Sequence, residues 1–463
     1  MKKGILLVNP PNTAVYVGKQ TTHVLPPLGL VYIASVLEQN EIPVEILDMN
    51  ALHISPDEFK QIVKEKKTEF IGFGSTTSNI NIVKELAFDV KMLSSAIVIV
   101  GGPHPSILSE DTLSDPNIDI VVRGEGEQTM LEIMSTSDLS KIKGIYYKDS
   151  NKEIKKNEDR PLIENIDSIP FPARHLLPID KYWSPGVKRK PFATILTSRG
   201  CPYHCIFCQH GIFGYTWRFR SPENIVAEID HLVQTYKVKE LDFLDDCFTL
   251  DADRVSKVCD YLIERNYDLI WRCSNGIRVD RVTKPLLVKM HDAGCVSVAF
   301  GVESGDEQIL KQIKKGTTLD RIEKAVQWSK EIGIETTAFF IIGNIGENEI
   351  SIQKTIDFAK KLDVDYCHFG ILVPFPGTEA REYIEKHGKI LIDDFSRYTQ
   401  FSDPIFECEK CTPDFLVNMQ KKAYHDLCIQ PKYIVKRFMK IKSLDEFLNL
   451  MKGGISLFKY INK

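Results

Sequence analysis

Short apolar runs rich in isoleucine and valine recur through the first third of the chain, at residues 3–9, 43–48, 69–74, 96–101 and 118–123. Each is followed by Gly, Pro, Ser or Asn. Between them the apolar positions shift to helical spacing. Over residues 27–39, Leu30, Ile33, Ala34 and Leu37 share one face, and further helices are predicted at 56–66, 79–93 and 126–135. Alternating β and α units of this length predict an α/β fold with a doubly wound parallel sheet covered on both faces. Ligands of such sheets bind at the carboxyl ends of the strands.

The predicted strand ends are polar and glycine-rich. They read Asn9-Pro10-Pro11, Gly74-Ser75-Thr76-Thr77-Ser78, Gly101-Gly102-Pro103-His104-Pro105 and Arg123-Gly124-Glu125-Gly126-Glu127. Glycines admit close backbone approach, and hydroxyls and N–H groups can hold phosphate or amide groups. The GxGxxG fingerprint is absent after the first strand, which argues against NAD or FAD. Alone, these loops indicate only a nucleotide-like ligand.

Residues 141–190 read as a linker, with a small hairpin in Gly144-Ile145-Tyr146-Tyr147 and Asp149-Ser150-Asn151-Lys152. Ile169-Pro170-Phe171-Pro172-Ala173-Arg174 is expected to run extended over the surface. A second α/β region follows. Strands are predicted from Phe192 to Thr197 and at 239–245, 269–275, 295–301, 335–343 and 365–373, with helices at 222–236, 251–266, 283–293, 319–332 and 348–362. Six such units make a partial (β/α)6 barrel, whose site lies at the carboxyl ends of its strands. The expected domains are therefore 1–140, the linker, a barrel over 191–380 and a helical C-terminal region over 381–463.

The first barrel strand runs directly into Cys201-Pro202-Tyr203-His204-Cys205-Ile206-Phe207-Cys208. Three thiolates in this CxxxCxxC spacing can hold three irons of a [4Fe–4S] cube and leave the fourth iron open, whereas electron-carrier cubes use four cysteines. Composition supports a globular chain, with 43% hydrophobic and 26% charged residues among 463. A net charge of −4 gives no basic field for nucleic acid. No apolar stretch reaches the ~18–20 residues of a membrane span. The apolar start at Ile5-Leu6-Leu7-Val8 breaks at Asn9-Pro10-Pro11 with no cleavage site, so it reads as a strand, and eleven cysteines then suggest a reducing cytoplasm.

The cysteine loop, with Phe207 before its last cysteine, resembles the radical SAM superfamily. Matching elements continue in Phe243-Leu244-Asp245-Asp246-Cys247-Phe248, Phe300-Gly301-Val302-Glu303-Ser304-Gly305, Phe340 to Glu347, and Pro374-Phe375-Pro376-Gly377-Thr378. The first third resembles the cobalamin-binding domain fused to one branch of that superfamily. The resemblance implies that Cys201, Cys205 and Cys208 ligate the cluster and that S-adenosylmethionine chelates the open iron. Phe207, Asp245, Asp246, Glu303, Ser304, Gly343 and Glu347 would then contact S-adenosylmethionine. Pro10, Ser75, Thr76, Gly101, Gly102, His104, Gly124, Glu125 and Gly126 would contact cobalamin. The residues leave other roles open: a helix cap for the Asp pair, and for Glu303 an ion pair with Arg272 or Arg278.

Many cobalamin domains carry Asp-x-His-x-x-Gly, whose histidine ligates cobalt from below. Here His53 follows Asp48 by five residues rather than two, so the motif is missing. His104 reads either as a cobalt ligand or as a loop histidine bonded to backbone or cofactor. Cys408-Glu409-Lys410-Cys411 could serve a second cluster or a metal, but with no second pair nearby at ligand spacing it reads as a structural or incidental pair. The stretch from Lys432 carries Lys436, Arg437, Lys440, Lys442, Lys452, Lys459 and Lys463 among apolar residues. It reads as a packed helix with a basic face or as a peripheral membrane contact. The resemblance implies a 5′-deoxyadenosyl radical that takes hydrogen from an unactivated carbon, with methyl transfer through methylcobalamin. The alternative is cyclisation, rearrangement or dehydration without methyl transfer, the cobalamin-like domain being vestigial or otherwise used. Expected partners are a small-molecule or lipid-like substrate and an electron donor such as flavodoxin or ferredoxin.

Overall fold

The computed structural model describes residues 4–11, 16–17, 20–21, 23–399, 402–428, 430 and 433–435. Its first sheet contains five parallel strands, β1 (Ile5–Asn9), β4 (Val44–Asp48), β5 (Phe70–Gly74), β6 (Ile97–Gly101) and β7 (Ile120–Val122), in the spatial order β4-β1-β5-β6-β7. A short antiparallel pair, β2 (Tyr16–Val17) and β3 (Gln20–Thr21), lies in the connection after β1. Alternation along β1 sends Leu6 and Val8 into one apolar layer and Ile5 and Leu7 into the other. Both faces are therefore buried, as a parallel sheet requires. Helices Leu28–Gln39, Pro56–Lys66, Ile80–Leu93 and Glu127–Ser135 form where the periodicity places them. The second starts in a capping box between Ser55 and Glu58.

The expected hairpin forms, but as part of the first sheet. Its strands β8 (Ile145–Lys148) and β9 (Ile154–Lys156) continue that sheet antiparallel beyond β7. The proline-rich segment also departs from expectation. It ends in a core, where the Arg174 guanidinium donates to the Thr194 carbonyl at 2.7 Å and to Glu228 at 2.8 Å. A buried arginine needs such partners. The chain therefore dives between the two regions instead of skirting them.

The second sheet holds β10 (Phe192–Ile195), β13 (Glu240–Phe243), β14 (Ile270–Ile277), β15 (Cys295–Glu303), β16 (Glu335–Ile342) and β17 (Tyr366–Ile371), parallel and in sequence order. β10 and β17 are its edges, so the barrel is partial. Between its first two strands, β11 (Ser198–Arg199) pairs antiparallel with β12 (Arg218–Phe219), which closes the neck of loop 200–217. The helices between strands match the predicted segments to within a residue or two, with an additional short helix at Glu307–Gln312.

The described C-terminal region is mixed rather than helical throughout. Helix Glu379–His387 leads into the antiparallel pair β18 (Gly388–Ile390) and β19 (Phe406–Cys408), then helix Pro413–Cys428. Leu416, Met419 and Ala423 of that helix join the barrel's own core, so this part is packed onto the barrel. The basic residues from Lys436 onward lie outside the described residues. No helix among the described residues is long and apolar enough to cross a membrane.

Candidate functional site

The cysteine loop is held at its neck. Gly200 has φ +84, and a Cβ there would lie 2.2 Å from the Thr216 carbonyl oxygen, so glycine is required for the two sides to meet. Inside the loop the Cys208 N–H donates to the Cys205 carbonyl at 3.0 Å. Cys205 is buried, Cys201 half-buried and Cys208 exposed. A hydrogen bond from Cys247 pulls the Cys201 thiol down to about 7, assisted by the Tyr203 N–H. Burial pushes the Cys205 thiol up, against the positive charge of Lys315 and Arg278. Tyr203 is clamped by the Arg278 guanidinium, 3.4 Å from its ring centroid, and by Arg281 Nε, 2.6 Å from its hydroxyl. Among the described residues no three His, Cys, Asp or Glu side chains gather around a single ion. Three thiolates on three different irons stand further apart than ligands of one ion, and an all-sulfur set is soft, so the loop suits a cluster.

At the barrel mouth the expected S-adenosylmethionine contacts divide. The Asp245 carboxylate is buried and already occupied. It accepts from the Thr197 N–H at 2.7 Å, the Thr197 hydroxyl at 2.5 Å and the Ser198 hydroxyl, with Arg254 Nη2 at 3.8 Å. It therefore ties two strand ends together rather than facing a ligand. Asp246 is exposed beside it and accepts from the Gly200 N–H. Neither caps the next helix, a task taken by Asp251. Ser304 is fully buried, 3.1 Å from the Thr355 hydroxyl, so its side chain turns into the core. Glu347 accepts from the Gly343 N–H at 2.7 Å and the Asn344 N–H at 3.0 Å. This loop packs on the C-terminal segment, where Cys411 Sγ lies 3.7 Å from the Glu347 carbonyl. Burial pushes the Glu347 carboxyl up to about 8. Phe207 packs half-buried against the barrel core.

Glu303 is the unusual residue of this mouth. It is a non-glycine at φ +68, a conformation that costs about 1–3 kcal/mol and clusters at functional sites. Its partner is Lys315, at 2.7 Å, and neither of the expected arginines: Arg272 pairs with Asp242 and Arg278 with Asp280, each at 2.9 Å. Gly301 makes room for the pair, since a Cβ there would fall 2.5 Å from Glu303 Oε1 and 2.8 Å from Lys315 Nζ. The Lys-Lys-Gly run at 314–316 gave no sequence signal for this role.

A cavity of about 480 Å³ opens at the carboxyl edge of the first sheet. Gly74, Ser75 and Thr76 line it from β5, Gly101 and Gly102 from β6, and Gly124, Glu125 and Gly126 from β7. Leu196, Arg199, Ile212 and Phe213 close it from the barrel side, so the cavity faces the cysteine loop. Gly102 has φ +113, and a Cβ there would lie 2.5 Å from the Ser75 carbonyl oxygen. Mostly apolar walls, glycine floors and a few hydroxyls suit a flat macrocycle with an amide rim, so the residues fit a corrin.

Two expected cobalamin residues lie outside this cavity, and a third lines it with its carboxylate engaged elsewhere. Pro10 does not line the cavity; its carbonyl accepts from Asn50 Nδ2 at 2.7 Å, and its neighbour Asn9 lines the wall instead. His104 is buried in helix Pro103–Ile107, 3.3 Å from the Thr77 hydroxyl and edge-on to Phe395, behind the wall. Burial holds it down to about 4. Glu125 lines the wall, and its carboxylate is engaged by Arg199 at 2.7 Å and Arg218 at 2.9 Å. Arg199 also reaches Glu127 at 2.6 Å. These arginines and Glu127 were not foreseen. His53 stays exposed at φ +53. Cys408 and Cys411 exchange backbone hydrogen bonds across a tight turn, and their thiols donate to the His387 and Glu347 carbonyls, a structural pair.

A cysteine loop on a partial barrel, facing a glycine-lined cavity of a doubly wound domain, defines a two-domain cluster enzyme with a second large cofactor. Comparison with known proteins agrees. The chain matches the family model of the radical SAM superfamily over residues 195–359 and that of the B12 binding domain over residues 15–134. It is 36% identical over 439 residues to an uncharacterized methyltransferase of Pyrococcus horikoshii, spanning 93% of this chain and 94% of that protein. It is 29% identical over 445 residues to cytidylyl-2-hydroxyethylphosphonate methyltransferase of Streptomyces wedmorensis, spanning 82% of each. In fold it resembles the cobalamin-dependent S-adenosylmethionine radical enzyme OxsB, solved with aqua-cobalamin and S-adenosylmethionine, with a TM-score of 0.70 at 19% identity over 99% of this chain and 72% of that one. The chain belongs to the radical SAM superfamily, in its cobalamin-dependent branch. Its cofactors are a [4Fe–4S] cluster, S-adenosylmethionine and cobalamin.

Proposed function

We propose that this enzyme is a cobalamin-dependent radical SAM methyltransferase acting on an unactivated carbon of a small-molecule or lipid-like substrate. The observation that carries the reading is the cavity shared by the two sheets. Its glycine walls come from the first domain, and its lid comes from the cysteine loop of the second. The cavity of the first domain is thus closed by residues of the same loop that carries the three cysteines, which supports methyl transfer between the two cofactors.

When bound, the three cofactors supply one-electron cleavage of a sulfonium bond and a transferable methyl group. The chain supplies the setting. Cys201, Cys205 and Cys208 hold the cluster, with Lys315 and Arg278 offsetting thiolate charge at Cys205. Glu303, strained and paired with Lys315, is the carboxylate placed for the S-adenosylmethionine ribose or amino-acid end. Asp246, exposed at the mouth, is the second polar contact. Asp245 acts behind them by fixing Thr197 and Ser198, three to four residues before Cys201. Ser75 and Thr76 offer hydroxyls to the amide rim of the corrin, and the apolar walls exclude water. The electron comes from an external donor of the flavodoxin or ferredoxin kind, and the proposed setting is the cytoplasm.

Anaerobic turnover with cobalamin and a reductant tests this. Formation of both 5′-deoxyadenosine and S-adenosylhomocysteine supports methyl transfer. The first product alone moves the assignment to radical chemistry without methylation. Absence of both products overturns the enzyme reading.

A further inference from the structure

Three buried charged side chains, Arg199, Glu125 and Glu127, and the partly buried Arg218 link the cysteine loop to the wall of the cavity. Arg199 and Arg218 are direct cross-strand partners in the β11–β12 pair that closes the cysteine loop. Like charges placed opposite one another repel, and here both turn to the same acceptor. Glu125 Oε1 lies 2.7 Å from Arg199 Nη1, and its two oxygens lie 3.0 and 2.9 Å from Arg218 Nη1. Arg199 Nη2 reaches Glu127 at 2.6 Å. Glu125 also accepts from the Ile163 N–H at 2.7 Å, and Arg218 donates to the Ile163 carbonyl at 2.5 Å. Arg199, Glu125 and Glu127 are each only about 5% exposed, where a bidentate guanidinium has few alternative partners.

The placement of this network is what gives it consequence. Arg199 is separated from Cys201 only by Gly200, whose backbone is fixed against Thr216. Glu125 and Glu127 flank Gly126, which lines the cobalamin cavity and opens helix Glu127–Ser135. A Cβ on Gly126 would lie 2.8 Å from Ile33 Cδ1, so this turn packs close against the first helix. A short chain of stiff contacts therefore runs from Cys201 through Arg199 to the cavity wall. A cluster bound at three points of the loop would order the β11–β12 neck that carries both guanidinium groups, and these hold Glu125 and Glu127 of the turn. Ordering that has occurred for one cofactor need not be repeated for the other.

We propose that Arg199 and Arg218 are positioning residues that couple the two sites, so that cluster assembly tightens cobalamin binding and cobalamin tightens retention of the cluster. Linkage requires the effect to be reciprocal. The proposal rests on the cofactor assignment above and adds an energetic connection between the two sites.

The test is an anaerobic absorbance titration of full-length protein with hydroxocobalamin, once with the cluster reconstituted and once after chelation of iron. The wild-type dissociation constant is expected to be about tenfold lower with the cluster, within the usual span of coupled sites. Arg199→Lys keeps the charge but lacks the planar fork whose two nitrogens reach Glu125 and Glu127 separately, and brings that ratio close to one. Glu127→Gln gives an intermediate ratio. Hydrogen exchange at residues 124–127 slows on cluster loading in the wild type and not in Arg199→Lys. A merely structural arginine lowers the melting temperature but leaves the ratio at its wild-type value, and that result overturns the proposal. So does a wild-type ratio of one. A wild-type chain that takes up iron but no cobalamin overturns the cofactor assignment, and this proposal with it.

Discussion

Lys315 Nζ stands 2.7 Å from Glu303 Oε1 in a pair that is nearly excluded from water. The lysine is held charged by that carboxylate despite its burial. Removing one member of a buried pair leaves the other uncompensated, at about 3–5 kcal/mol. Lys315→Met is therefore expected to lower the thermal midpoint strongly, and Glu303→Gln added to it should restore much of the loss. Calorimetry of the two variants checks this. A double variant no more stable than Lys315→Met contradicts the pairing.

Replacing Cys201, Cys205 or Cys208 with alanine should abolish cluster retention, read as iron and sulfide content after anaerobic reconstitution. Cys408→Ser should leave the iron count unchanged, because its thiol is occupied with the His387 carbonyl.

Gly102→Ala should cut cobalamin retention at least tenfold on gel filtration. The added Cβ meets the Ser75 carbonyl at 2.5 Å at a φ of +113. The backbone strain alone is about 1–3 kcal/mol, and it falls on the cavity wall.

Two buried groups set opposite pH trends. His104 titrates near 4 in the folded protein because of burial, against an ordinary 6.5. The unfolded chain binds the extra proton between those values, so stability falls as pH drops from about 6.5 to 4, by roughly 3 kcal/mol. Glu347 is raised by burial to about 8 from 4.5. There the folded chain holds the extra proton, so stability falls as pH rises between those values. Glu347→Gln keeps an acceptor for the Gly343 and Asn344 N–H groups. It should raise the melting temperature at pH 8 and change it little at pH 4.5.

The fold was legible where periodicity carries it. β1, β5 and β6 bury alternate residues on both faces, and the barrel helices follow apolar spacing, so local pattern was enough. The cysteine loop was legible because its three ligands are adjacent in sequence. Asp245 misled, since a carboxylate at a strand end looks like a ligand contact until Thr197 and Ser198 are seen to occupy it. The Arg199–Glu125 bond spans 74 positions, and Lys315 meets Glu303 beside a register irregularity of β15. No local spacing encodes such pairs. Likewise, nothing in the sequence of residues 145–156 says which neighbour the hairpin will join.

That hairpin settles how one rim of the first sheet ends. A row of unpaired peptide groups along an outer strand invites pairing with another chain. Here the outermost strand is only three residues long and carries Lys155 and Lys156. Lys155 lies 2.6 Å from Glu153, and Lys156 covers the Tyr146 ring at 5.5 Å. A second molecule approaching strand to strand would have to desolvate two ammonium groups, so this rim of the sheet resists edge-to-edge aggregation.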